Sequence, residues 1–518
     1  MRRRLAILLV ALIAGACGNG PSGASDDGTA RILIGSPTTF DPAIVGDAQS
    51  GAVINQFFEP LTTVDPSLEL RPALAESWRM EEDGRRIVFR LRPNLRFSDG
   101  TPLRASDVVR SWLRVIDPEG PSPLATLLLD VRGAREYLAG EGSADGVGLT
   151  AADATNEVVV ELLRPAADFP AIVAGSTFGV VPPGIDEPRA LDPGHAFVAS
   201  GGYRPVSADA SAIVLAANPE YWAGRPALPN ITLVTDVGGK SPVAVFEGGD
   251  LDYAPVSPSD ATWIAYDRTL GPQLRATPSL STDYYGFNVK TPPFDDVRVR
   301  QAFAAAVDWR RISTLAVPDP AMVGTSMVPP GIPGRSDRDV VPKHDPEAAR
   351  ALLADAGFPG GRGFPDVTLT TGGNAYDEAV VGELRRELGI TVQPEVMDFD
   401  AFFERLDSDA PAMWFLSWVA DYPGRNDFLG VLLSTGASNN YGNWTSAEFD
   451  AVIADAGAAT DEAVASAAFD RAEDIVQRDV PVIPMSYGSG WALSRDGLLG
   501  ASENGLGGIR LAGLTWDR

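Results

Sequence analysis

The chain has 518 residues, with 42 Lys and Arg against 69 Asp and Glu, for a formal charge of −27. A surface this acidic repels phosphate backbones, which argues against nucleic-acid binding, and the length exceeds what one hydrophobic core organises, pointing to two or three domains. Cys17 is the only cysteine, and His195 and His344 are the only histidines, so internal disulfides and cysteine-clustered zinc or iron–sulfur centres are excluded and dedicated metal capture is disfavoured.

The N-terminus reads as an export signal. Met1 to Arg4 are basic, Leu5 to Ala14 are apolar, and Gly15-Ala16-Cys17 follow. The apolar run is too short for a permanent membrane span but fits a secretory leader. Loss of Arg2, Arg3 and Arg4 with that leader takes the formal charge to about −30. Ala14, Gly15 and Ala16 before Cys17 resemble a bacterial lipobox, with Ala14 where lipoproteins usually carry Leu. The alternative is an ordinary signal peptide with a free thiol nearby. The polar stretch Gly18 to Thr29 favours lipidation, because such a segment cannot fold and acts as a leash. The expectation is a signal peptide over 1–16, a lipidated Cys17 opening a tether over 17–30, and attachment to the extracytoplasmic face of the cell membrane.

Along the rest of the chain, Arg31 to Gly35 reads as a short strand, and Gln56 to Leu61 ends a helix, since Pro60 disfavours helix at Glu59. Arg86 to Arg92 alternates, with Ile87, Phe89 and Leu91 on one face of a half-buried strand. After the Ser98-Asp99-Gly100-Thr101-Pro102 turn, Ser106 or Asp107 caps a helix running through Trp112. Val158 to Leu163 and Ile231 to Val234 are further strands. Asp296 caps a helix with Val299, Ala302, Phe303, Ala306 and Val307 on one face. Asp345-Pro346 opens another, with Ala349, Leu352, Leu353 and Ala356 as its stripe and Gly357 as its stop. Val367 to Thr370, Ala379 to Leu388 and Ile390 to Val396 then read strand, helix, strand, the order of an α/β lobe.

Five groups of segments in series resemble the family 5 extracellular solute-binding proteins, which include oligopeptide and dipeptide binders. They begin with Glu59-Pro60-Leu61, Pro72 to Trp78 and Phe97 to Leu103. Asn218-Pro219-Glu220-Tyr221-Trp222 and Phe246 to Asp252 come next. Tyr284-Tyr285-Gly286-Phe287-Asn288 with Pro293 to Ala302, then Asp345 to Leu353, and finally Ser417-Trp418-Val419-Ala420-Asp421-Tyr422 complete the set. The resemblance covers nearly all of the chain after Arg31. It implies an α/β fold: a two-lobed clamp of the periplasmic-binding-protein kind (type II, large peptide-binding class), with an extra domain inserted in lobe one. Lobe one is expected over 31–60, 191–280 and 488–518, the extra domain over 61–190, and lobe two over 281–487.

What the resemblance implies for the site is a cleft that takes an extended peptide as an added strand. Asp421 matches the acidic residue that meets the peptide amino end, and a charge-assisted bond there is strong in a closed cleft. Trp418 and Val419 match the strand beside the peptide, and Tyr422 completes the motif. Gly46, Asp47 and Ala48 match a backbone edge that pairs with ligand. Tyr285, Asn288 and Tyr487 match cleft-facing positions. The residues alone leave Asp421 open to a second reading, an Asx turn before Pro423. Trp414 reads as core, and both histidines as surface residues beside proline turns. Pro423-Gly424-Arg425-Asn426 departs from the family pattern and makes Arg425 a candidate for an anionic group.

The resulting expectation is a monomeric binding protein, not an enzyme, with no cofactor and no metal, serving the permease and ATPase subunits of an ABC importer. The chain itself has no phosphate-binding Gly-Lys-Ser/Thr loop. Other ligands on the same fold (a nickel complex, haem, an oligosaccharide, an opine), a sensing lipoprotein, and a secreted hydrolase are the alternatives. Against the hydrolase, no Gly-x-Ser-x-Gly elbow stands beside a suitable histidine, and no spacing singles out a carboxylate pair.

Overall fold

The alternation read in the first half of the chain becomes a four-stranded antiparallel sheet. A computed structural model describes residues 28–81, 84–185, 191, 197–316, 322–374, 376–459, 461–506 and 508–517. The leader, Cys17, almost all of the tether, and His195 lie outside the described residues. In chain order, the first seven strands are β1 (Ala30–Leu33), β2 (Thr62–Val64), β3 (Leu70–Pro72), β4 (Ala75–Glu81), β5 (Arg86–Leu91), β6 (Leu149–Ala152) and β7 (Glu157–Glu161). The small sheet has the order β4-β5-β7-β6. Ile87 and Phe89 stand opposite Val160 and Val158, and their buried face packs on the helix Ala105–Val115. Trp112 of that helix meets Phe89, Phe169 and Phe178 edge-on, with ring centroids 6.3, 6.2 and 5.7 Å apart, and these rings fill the core of the inserted domain. Neither Ser106 nor Asp107 is the helix cap. The helix starts one residue after Arg104, and Asp107, in its first turn, accepts from the Arg104 N–H at 2.9 Å.

The next nine strands are β8 (Tyr203–Ala208), β9 (Ala212–Ala217), β10 (Asn230–Val234), β11 (Tyr253–Val256), β12 (Leu274–Phe287), β13 (Val367–Thr371), β14 (Val392–Val396), β15 (Met413–Val419) and β16 (Val482–Ser494). Together with β1 they form one ten-stranded mixed sheet, ordered β14-β13-β15-β12-β16-β11-β1-β10-β9-β8. The strands β12 and β16 are much longer than their neighbours and pass from one lobe to the other. Leu274 to Pro278 pair with Ser489 to Leu493 on the lobe-one side, and Thr282 to Gly286 pair with Val482 to Tyr487 on the lobe-two side. The register breaks between Pro278 and Thr282.

Separate cores flank the crossing. Phe57, Tyr203, Ile231 and Leu511 belong to lobe one. Phe287, Phe303, Leu384 and Ile483 belong to one half of lobe two, and Trp414, Phe428 and Phe449 to the other. The expected caps at Asp296 and Asp345 are present, accepting from the N–H groups of Arg298 at 2.9 Å and Ala348 at 3.0 Å. The architecture is the two-lobed α/β clamp with an inserted domain.

Candidate functional site

The turn into the helix Ala48–Phe57 forms one wall of a cavity between the lobes. Asp47 is the helix N-cap: its carboxylate accepts from the Ser50 N–H at 2.8 Å and from the Ser50 and Thr38 hydroxyls at 2.7 Å each. Burial works against the charge, but these hydrogen bonds outweigh it and hold the Asp47 carboxyl below its usual range. Asp47 therefore offers its backbone to the cavity while its carboxylate serves the cap. Gly46 and Ala48 are exposed on either side of it. At Gly46 a Cβ would stand 3.2 Å from the Pro123 ring, so the turn lies close against the inserted domain.

The facing wall comes from the C-terminal end of β15. Val419 pairs with Ser281 of β12, and 47% of it remains exposed. The other neighbour, β13, pairs with β15 only at Met413 and Trp414. Among the described residues no strand pairs with Phe415 to Val419 on that side. The chain then turns, with the Ala420 N–H donating to Leu280 O at 2.8 Å and the Asp421 N–H donating to Asp427 Oδ2 at 3.1 Å.

Gly46, Asp47, Ala48, Val419 and Asp421 thus line one cavity of about 580 Å³, which Leu124, Leu127 and Ala174 to Thr177 of the inserted domain also border. The Asp421 carboxyl is half-buried there, and loss of water around it raises its pKa to about 6. No cation among the described residues pairs with it. Beneath it lies Asp427, fully buried, whose Oδ2 also accepts from Trp418 Nε1 at 2.9 Å and whose Oδ1 has no partner. Burial first, then the nearby Asp421 charge, push Asp427 well above the carboxylate range, so it is a neutral acid that braces the Asp421 turn.

Other expected contacts are absent from this cavity. Trp418 is turned onto Asp427 and the lobe-two core. Tyr422 is buried, donating its hydroxyl to Asp168 of the inserted domain at 2.8 Å and accepting from Asn426 at 3.0 Å. Tyr285 lies in the lobe-two core with its hydroxyl on Asp377 at 2.9 Å. The Asn288 side-chain amide donates to Ala410 O at 2.9 Å. The Tyr487 hydroxyl gathers the N–H groups of Thr325 and Ser326 at 3.0 and 2.9 Å. Arg425 is buried against Asp470 and Glu473 at 2.7 and 2.9 Å and is already neutralised, so it is not free to meet an anion.

A second charged group on the cavity went unnoticed in the sequence. Arg510 lies on the lobe-one wall, its side chain 41% exposed. It donates to Glu59, to the Tyr221 hydroxyl at 2.6 Å and to the Thr63 hydroxyl at 2.7 Å. Glu59 also accepts from Trp222 Nε1 at 3.2 Å. Glu59-Pro60-Leu61 and Tyr221-Trp222 were legible as motifs, but nothing local announced that Arg510 joins them. The cavity therefore carries an unpaired carboxyl on one wall and a partly exposed guanidinium on the other.

Known proteins share this fold in outline. Across 87% of its length the chain is 29% identical to a probable deoxycholate-binding periplasmic protein, YgiS, of Escherichia coli K12, covering 86% of that protein. It is 25% identical to the oligopeptide-binding protein OppA of Bacillus subtilis, over 98% of each chain. The structure of the Escherichia coli murein tripeptide binding protein MppA superposes with a TM-score of 0.78 at 24% identity, over 95% of this chain and 98% of that one. The family model of the bacterial extracellular solute-binding proteins, family 5 (middle), matches residues 69–440. With well over half of its length matched, and with a two-lobed clamp around an interlobe cavity, the chain is a member of the family 5 bacterial extracellular solute-binding proteins.

Proposed function

We propose that the chain is the lipid-anchored, extracytoplasmic binding subunit of an ABC importer. In this reading it captures peptides by closing its lobes and passes them to the permease. The observation that carries the peptide reading is Asp421, an acid on the interlobe cavity with no protein cation to pair with it. A carboxylate left unpaired away from water is costly, and a ligand ammonium removes that cost. The free edge of β15 supplies backbone groups for an extended guest, which suits a binder that reads main chain more than side chains. Cys17 supplies the anchor. Among the described residues no helix is long and apolar enough to cross a membrane.

Calorimetry with a free-amino tripeptide and its N-acetylated form tests the role of Asp421. Asp421→Ala is expected to weaken the free-amino peptide by roughly 2–5 kcal/mol and to affect the acetylated form far less. Equal losses for both would remove the amino-end role. Arg510, paired with Glu59 but with its side chain 41% exposed on the cavity, leaves room for a second reading, an amphipathic anion such as the deoxycholate in the name of the YgiS relative. That ligand should bind Asp421→Asn at least as well as wild type, whereas a peptide should not. Mass spectrometry of ligand released from the purified protein separates the two directly.

A further inference from the structure

A second cavity, of about 410 Å³, lies between the inserted domain and lobe two. Leu127, Phe169 and Ile172 come from one side, and Ile453, Ala456 and Phe469 from the other. Most charged groups on its wall are engaged with protein partners, the exception being Glu462 at its exposed rim. Arg164 pairs with Asp130 at 2.6 Å, Asp168 accepts from Tyr422, and Arg425 holds Asp470 and Glu473. Ser466 donates to Gly334 O at 3.3 Å. What these walls offer a guest is apolar surface.

The two cavities are neighbours on either side of one turn. Leu127 lines both. The turn after β15 borders the first through Asp421 and the second through Gly424, Arg425 and Asn426. A ligand fixed at Asp421 is thus one turn of backbone from the apolar chamber. We propose that this chamber is a specificity subsite, taking one branched aliphatic or aromatic side chain of the peptide whose amino end Asp421 holds. The inference rests on the peptide reading and narrows it to peptides with a bulky apolar residue at one fixed position. The chamber walls come from two domains, so its occupant binds the arrangement that brings them together more tightly than any arrangement that parts them.

The test uses calorimetry with Ala-Ala-Ala and with three tripeptides carrying Phe at the first, second or third position. In the wild-type protein one Phe peptide should bind about tenfold tighter than Ala-Ala-Ala, the gain expected for burying an aromatic side chain. Ala465, half-buried on the chamber wall, is the site for a filling variant. Ala465→Trp should abolish the Phe gain and leave Ala-Ala-Ala within about twofold of wild type. Ile172→Ala, on the opposite wall, should shrink the gain without touching Ala-Ala-Ala, and it decides the matter if Ala465→Trp fails to fold. Binding of Ala-Ala-Ala with no Phe gain at any position, or a gain that survives both variants, overturns the subsite and leaves the peptide reading standing. Failure of all four peptides to bind overturns both.

Discussion

Asp421 gives binding and stability opposite responses to pH. Its folded pKa, raised by burial to about 6, exceeds that of the unfolded chain. The unliganded protein therefore gains stability from this group at low pH and loses it as pH rises through 6. Peptide binding needs the anion and should weaken as pH falls through the same value. The other titratable groups around this turn are Asp427, Asp168 and Tyr422, all pushed up by burial, with Arg164 near Asp168. Free-amino peptide affinity should drop about tenfold from pH 7 to pH 5, and Asp421→Asn should flatten that profile. A profile unchanged in Asp421→Asn would assign the titration elsewhere. Asp427 makes a complementary prediction. Because it is neutral and its Oδ1 is already without a partner, Asp427→Asn should cost little in a denaturant melt at pH 7. Asp427→Ala strands the Trp418 and Asp421 donors and should cost about 2–3 kcal/mol.

The strand β12 shows how much of the fold was legible in the sequence and where that legibility ended. Its Tyr284-Tyr285-Gly286-Phe287-Asn288 stretch was recognisable as a family marker. The period of a strand does not say which of two buried faces meets a cleft, so Tyr285 and Asn288 were assigned to the cavity when they belong to the lobe-two core. Tyr487 was misplaced for the same reason, since β16 is buried along most of its length. By contrast, Asp421 and the Gly46 to Ala48 turn, matched through the resemblance, sit at element ends and border the interlobe cavity. Arg510 could not be read from the sequence, because its meaning depends on Glu59 and Tyr221, hundreds of residues away in sequence. The marker glycine has a packing reason: a Cβ at Gly286 would lie 2.4 Å from the Trp414 ring. Gly286→Ala should therefore destabilise lobe two by about 1–3 kcal/mol through overpacking, measured by denaturant unfolding, and a concurrent Trp414→Phe should recover part of the loss.

Two long strands through a register break join the lobes, and contacts across the cavities add to that connection. The Tyr422 hydroxyl is one such contact: it reaches from lobe two to Asp168 of the inserted domain at 2.8 Å. Burial, the largest influence on Asp168, raises its pKa above the usual carboxylate value. A hydrogen bond such as this contributes about 1 kcal/mol net, enough to bias an equilibrium between two arrangements without locking it. If peptides bind by closure, small-angle scattering should show the radius of gyration falling on addition of saturating Ala-Phe-Ala. Tyr422→Phe removes this bridging hydroxyl, which bears on closure if the bond is lost when the lobes part. It should need about five- to tenfold more peptide to reach the same compaction, while its melting temperature without ligand changes little if the unliganded lobes stand apart. A wild-type radius that does not respond to saturating peptide would refute closure, and an unshifted titration in Tyr422→Phe would show that this contact plays no part in it.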